Sequence, residues 1–335
     1  MTGIKAREAL IRGPDDLQPH AVAASAYLCP PALLLRARQR APVAMAVAAA
    51  GAADVLQAVC WAASFGLVEP ILVGDPPAIE AGLRRQVSPP SFRIVPALTE
   101  ADAARHAVEL VRTGEAQLLM KGHLHTDVLM RAVLDRAAGL RLPGSRLSHV
   151  FVMRWPGTPR DLLITDAALN VAPDPETTLH IVRHAIRVAK TVGIVHPRIA
   201  MLSASETANA AMPSSCAAET FAASFREEAE RSGSSIAGPL ALDVALSPEA
   251  AALKGITDDA VAGRADILVV PNIETGNALF KALVHLQHAT AIGVVLGATV
   301  PIVLTSRADP MEAKLASIAL AQLLSPQSAT QPDNG

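Results

Sequence analysis

The stretch Leu118–Asp135 reads LLMKGHLHTDVLMRAVLD. A short apolar run gives way at Lys121 to a polar cluster of His123, His125, Thr126 and Asp127, and the chain then continues as a helix. A buried strand that hands a polar loop to a helix is the repeating unit of parallel α/β sheets. His125 or Thr126 can cap the helix that Asp127 starts. Free N–H groups at such a helix start favour an anion, and Arg131 lies one turn on from Asp127, on the same face. Lys121 adds a second cation at the mouth. His123 and His125 are spaced so that an extended chain could offer both to a metal, but no third ligand is evident. An anion site, a metal site and plain surface charge all remain open from these residues.

The same alternation runs outward in both directions. VAMAVAAAG precedes a helix near 54–65, EPILVGDP follows it, FRIVPA leads into a helix near 99–112, and AQLLMKG opens the stretch above. SHVFVMRW and DLLITDA flank the turn Pro156–Pro159 and read as neighbouring antiparallel strands. RIAMLSA, GPLALD, ADILVVPN and PIVLTSRAD follow, with helices near 176–191 and 276–285 and a last one ending at Leu324. The fold class expected is α/β, with two domains of parallel or mixed sheets flanked by helices. The hairpin suggests a boundary near 147–150. The expected organisation is an N-terminal extension over 1–40, a second domain over 149–289 and a disordered tail over 327–335.

Composition narrows the function classes. The chain has 335 residues, 51% of them hydrophobic and 18% charged, enough for two ordinary domains. A formal net charge of −2 and an aromatic content of 3% argue against nucleic acid as partner. Cys29, Cys60 and Cys216 are scattered and odd in number, which suits buried thiols in a reducing cytoplasm. No signal-peptide stretch opens the chain, and the uncharged run 289–306 is interrupted by Gly293, Gly297 and Pro301. It reads as two strands joined by a turn rather than a membrane span, so no membrane partner is expected.

In open α/β sheets ligands sit beyond the carboxyl ends of the strands. Polar groups fall there four times: Lys121–Asp127, Thr165–Asn170, Asn272–Asn277 and Thr305–Asp309. In the last, Arg307 can fork onto phosphate or carboxylate and Ser306 can donate to an oxyanion. Asp309 can orient Arg307, cap the next helix or take a proton. Gly276 and Asn277 suit a turn into a helix N-terminus that also carries Lys281. Asp166 and Asn170 follow a strand and are compatible with a purely structural role. Neither G-x-G-x-x-G after a strand nor a P-loop occurs.

Seven segments in order, LLMKGHLHTDVLMRAVLD, RLSHVFVM, LLITDAALNVAPDPET, SASETANAAMPSS, GPLALD, ADILVVPNIETGN and VPIVLTSRAD, together resemble the phosphate acetyl/butyryltransferase family over residues 42–324. The likeness is to the butyryltransferase-like branch, including the phosphate acetyltransferase part of members fused to a hydratase-like domain, for which about forty preceding residues leave no room. The resemblance implies acyl-CoA + phosphate ⇌ acyl phosphate + CoA, with no metal, no cofactor and no covalent enzyme intermediate. It also implies an isocitrate/isopropylmalate-dehydrogenase-like fold with a cleft between the domains, a homodimer, and a first domain (41–148) completed by residues 290–326. On that pattern Ser306, Arg307 and Asp309 are expected to be catalytic. Lys121, His125, Thr126, Arg131, Asp166, Asn170, Gly276, Asn277 and Lys281 are expected to serve phosphate and CoA.

Two departures stand out. Where the acetyl branch carries a later aspartate proposed as base, this chain has Ala313, which leaves Asp309 or Glu312 for the role. The first strand–helix turn, polar in many members, reads Ala48-Ala49-Ala50-Gly51. The competing readings are a metal- and NAD-dependent decarboxylating dehydrogenase, which needs an acidic cluster where only isolated aspartates occur, and a non-catalytic acyl-CoA-binding protein.

Overall fold

The computed structural model describes residues 29–86, 89–158, 160–306 and 309–326. Numbered along the chain, the strands are β1 (Val43–Ala48), β2 (Val68–Gly74), β3 (Arg93–Pro96), β4 (Leu118–Lys121), β5 (Ser148–Arg154), β6 (Leu162–Thr165), β7 (Arg198–Leu202), β8 (Ser235–Leu240), β9 (Ile267–Val269), β10 (Thr290–Leu296) and β11 (Ile302–Val303). The helices are α1 (Pro31–Arg38), α2 (Ala53–Ser64), α3 (Pro76–Leu83), α4 (Glu100–Arg112), α5 (Thr126–Val133), α6 (Pro175–Val192), α7 (Pro213–Arg231), α8 (Leu242–Leu246), α9 (Pro248–Leu253), α10 (Ile273–Leu286) and α11 (Met311–Leu324). The chain divides into two compact units, one up to Leu142 together with the residues from Ala298 on, the other Pro143–Gly297.

In the first unit five strands lie in the order β3-β2-β1-β4-β11, and every pair is parallel. Burial explains their composition: the last four residues of β1 and all of β4 are covered, as strands with helices on their faces must be. α11 is apolar almost all round, and eleven of its residues are buried. α1 packs Leu33, Leu34 and Ala37 inward. Gln322 Nε2 donates to the carbonyls of Ala37 and Ala41 at 3.2 Å, while the Arg40 guanidinium caps the end of α11 through the carbonyls of Gln322, Leu323 and Ser325. Residues 29–40 therefore belong to this unit and are no separate extension, a correction to the expected boundary. The expected disordered tail, 327–335, lies outside the described residues.

The second unit is mixed. β6 pairs antiparallel with β5, as the apolar patterns around the Pro156 turn suggested, although Pro159 of that turn lies outside the described residues, and β10 pairs antiparallel with the other edge of β5. β6, β9, β7 and β8 continue in parallel. The expected division put 290–297 in the first domain. Seven consecutive residue pairs between β10 and β5 instead bind that segment into the second unit. Asp174 starts α6 by accepting the N–H of Thr177 at 2.7 Å, and Gly193 ends it in the left-handed conformation at φ 104°.

A buried polar pair ties α6 to β5. Ser148 Oγ and His184 Nδ1 share a hydrogen bond of 2.8 Å, and Ser148 is fully covered. Burial, with the nearby charges of His180 and Arg187, lowers the His184 pKa to about 4. The unfolded chain, with a pKa near 6.5, takes up this proton first, so stability is full above that value and falls as pH drops towards 4. At about 1.4 kcal/mol per pH unit the loss is expected to approach 3 kcal/mol. Urea unfolding from pH 7.5 to 4.5 checks it: His184→Gln should remove most of the slope between pH 6.5 and 4.5, and an unchanged slope would exclude His184 as its source.

Candidate active site

β4 and β11 run side by side in parallel, with Ile302 opposite Leu119 and Val303 opposite Met120. Both therefore deliver their following loops to the same edge of the first unit. After β4 the chain turns tightly against the end of β1. The N–H groups of Gly122 and His123 donate to the carbonyls of Ala48 and Ala49 at 2.8 and 2.9 Å. A Cβ on residue 122 would stand 2.4 Å from the Ala49 oxygen, so only glycine fits there. Leu124 is buried as an anchor.

The polar residues of the opening stretch then separate into three surroundings. Lys121 is buried, and its Nζ donates to the carbonyls of Gly122 and Leu124 at 3.3 and 3.2 Å. His125 is the N-cap residue of α5 but makes no side-chain capping bond. Its N–H and its Nδ1 both meet Glu100 Oε2, at 3.0 and 2.9 Å. The helix starts at Thr126, one residue earlier than expected, and Thr126 is exposed. Arg131 does share a face with Asp127, and the two approach to 3.6 Å on a strongly exposed surface.

After β11, Ser306 and Asp309 are joined by two hydrogen bonds. Asp309 Oδ2 accepts the N–H of Ser306 at 2.6 Å, and the Asp309 N–H donates to the Ser306 carbonyl at 3.2 Å. The capping role considered for Asp309 is not the one observed: Pro310 is the N-cap residue of α11, and the carboxylate looks back to Ser306. Glu312 is the second residue of α11 and half-buried. Burial raises the Asp309 pKa, and the Ser306 N–H and the charges of Lys314 and Lys121 oppose that rise. Arg307 lies outside the described residues.

Lys314 is a polar residue that sequence reading did not single out. It is buried in α11 and ion-pairs with Asp54, at the start of α2, at 2.5 Å. Burial acts to raise the Asp54 pKa, and the hydrogen bond and charge of Lys314 outweigh it, so the net shift is downward. The signal was present, since a single lysine in the apolar run MEAKLASIALAQLL requires a buried partner. Two buried lysines thus set the field at the Ser306–Asp309 loop.

The remaining candidates lie in the second unit. Asp166 is buried and accepts four donors: the N–H groups of His149, Ala168 and Leu169 and the amide of Asn170. Burial raises its pKa against those bonds. Asn170 also donates to the Leu147 carbonyl at 2.8 Å. The pair holds the turn after β6 together. Gly276 is not at a turn. α10 starts at Ile273, capped by Asn272, and Gly276 is buried where a Cβ would stand 2.8–2.9 Å from Ala167 and Val270 atoms. Close approach of α10 to the β6 turn, rather than backbone conformation, requires that glycine. Asn277 donates to the Ala167 carbonyl at 3.4 Å, and Lys281 is exposed. Among the described residues no group of three or more His, Cys, Asp or Glu side chains could hold a metal.

A family model described as "Phosphate acetyl/butaryl transferase" matches residues 90–322. A phosphate acetyltransferase of Rhizobium meliloti is 46% identical over 296 residues, covering 87% of this chain and 92% of that protein. A phosphate butyryltransferase of Clostridium acetobutylicum is 40% identical over 293 residues, 87% of this chain and 96% of its relative. The crystal structure of a branched-chain phosphotransacylase from Enterococcus faecalis superposes with a TM-score of 0.71 at 36% identity, covering 85% of this chain and all of the other. The chain belongs to the phosphate acetyl/butyryltransferase family.

The Asp309–Ser306 bond makes a testable claim. A charge-assisted hydrogen bond of this kind contributes about 1.5–3 kcal/mol, so Asp309→Asn should lower turnover tenfold or more. If the carboxylate holds the Ser306 N–H rather than moving a proton, the deficit should be constant across a pH–rate profile. A deficit that vanishes as pH rises towards the CoA thiol pKa would make Asp309 a base instead.

Proposed function

We propose that the chain is a phosphate acyltransferase that converts acyl-CoA and inorganic phosphate reversibly to acyl phosphate and CoA, by direct attack of phosphate on the thioester carbonyl. The observation that carries this reading is the Ser306–Asp309 loop beside Lys121 at the shared edge of β4 and β11, in a chain of this family. Phosphate must be held against a weakly electrophilic carbonyl, so positioning supplies much of the acceleration. Arg307 and Arg131 serve as clamps for the dianion, with Lys121 as the nearby fixed charge. Ser306 donates to the oxyanion that develops on the thioester. The leaving thiolate has a pKa near about 8.5, which removes the need for a strong general acid.

His125, Thr126 and Lys281 are assigned to the phosphate and CoA anions. Asp166, Asn170, Gly276 and Asn277 are assigned to the substrate surface of the second unit. The same reading takes the fold as isocitrate-dehydrogenase-like, with the substrates in an interdomain cleft, and the enzyme as a cytoplasmic homodimer that uses neither metal nor cofactor. It draws support from the relatives' names and from the resemblance in the loop segments. No described helix is long and apolar enough to cross a membrane.

Isotope exchange tests the direct route. In the absence of phosphate, labelled CoA should not exchange into acetyl- or butyryl-CoA, because no acyl-enzyme forms. Exchange at a rate comparable to turnover would reveal a covalent intermediate and overturn the mechanism.

A further inference from the structure

The first unit carries a second candidate site, lined in part by His123 of the loop after β4, with Glu100, the partner of His125, at its rim. A cavity of about 390 Å³ opens beyond the carboxyl ends of β1 and β2, within the range of small-molecule pockets. Its walls are small and mostly apolar: Ala49, Gly51, Ala52, Gly74 and Ala97. The first strand–helix turn reads Ala48-Ala49-Ala50-Gly51, and its small side chains leave the space open. Ala49 holds the turn in the left-handed region at φ 57°, an uncommon conformation for a residue with a Cβ.

Three observations define what fits. First, the strand order β3-β2-β1-β4-β11 and the uniformly parallel pairing match one mononucleotide-binding half of a doubly wound sheet. Second, Asp75 directly follows β2, next to β1, where such folds place the acidic residue that accepts ribose hydroxyls. Asp75 is exposed, lines the cavity and makes no capping bond to α3. The other carboxylate at the rim, Glu100, is occupied by the N–H and ring of His125. Third, the turn Ala49-Ala50-Gly51-Ala52 lacks the glycine pattern that lets backbone cradle a pyrophosphate, and no lysine or arginine is among the described residues lining the cavity.

We propose that this cavity binds a purine nucleoside, with the base against the small-residue walls and the ribose hydroxyls donating to the Asp75 carboxylate. A phosphate on the ribose would meet the Asp75 carboxylate in place of a donating hydroxyl, so the adenosine of CoA, phosphorylated at its 3′ position, is disfavoured and the proposed site is distinct from the acyl-CoA site. The inference does not depend on the transferase reading.

Calorimetric titration of the full chain with adenosine, 2′,3′-dideoxyadenosine and 3′-AMP tests it. Adenosine should bind, and the other two at least tenfold more weakly. Asp75→Ala and the nearly isosteric Asp75→Asn should each weaken adenosine at least tenfold while the KM for CoA stays within twofold. Absence of adenosine binding to the wild-type chain would overturn the proposal, as would equal binding of the three ligands or full binding by both Asp75 variants. A KM for CoA that rises with the loss of Asp75 would assign the pocket to CoA and overturn its independence.

Discussion

Gly122 has no room for a side chain. The carbonyls of Ala48 and Ala49 stand where a Cβ would go, and two backbone hydrogen bonds hold the turn after β4 against the end of β1. This close approach fixes where the polar cluster emerges from the sheet. It directs Lys121 into a buried position, sets His125 against Glu100 and starts α5 at the sheet edge. The same contact shapes Ala49, whose left-handed backbone borders the nucleoside cavity. One steric constraint therefore serves both the proposed transfer site and its neighbour.

The transfer site has an electrostatic logic that follows from burial. Lys121 and Lys314 sit in a poorly solvated edge, where charge acts at longer range than in water. Lys314 is ion-paired with Asp54, and Lys121 Nζ donates to the carbonyls of Gly122 and Leu124. Asp309 lies in the field of both and spends its carboxylate on the Ser306 N–H. The Ser306 backbone is thereby preorganised by Asp309, and Ser306 is exposed. Such preorganisation is what a reaction with little covalent chemistry for the protein needs.

The sequence carried the fold well because its signals were local. Apolar runs ending in polar clusters marked every strand that bears a candidate residue, and Asp174 and Thr99 cap helices close to where the spacing put them. What it could not carry was non-local. The pairing of β10 with β5 depends on partners more than a hundred residues apart, so 290–297 was assigned to the other unit. Gly276 looked like a turn glycine because its clash with Ala167 is invisible in one dimension. For Asp309 the sequence left orienting, capping and proton transfer open, and the Ser306 bond is visible only in three dimensions; Lys314 was hidden although an isolated lysine in an apolar helix is itself a signal. Asp75 attracts attention only once β2 is known to lie beside β1.

The central claim is that phosphate is the acceptor of the acyl group. The most direct measurement follows thiol release from acetyl-, propionyl- and butyryl-CoA by the purified chain, with and without inorganic phosphate, while acyl phosphate is trapped as its hydroxamate. The account predicts that CoA release requires phosphate and that acyl phosphate forms in equal amount. Release at the same rate without phosphate, or with free acid as the product, would contradict it.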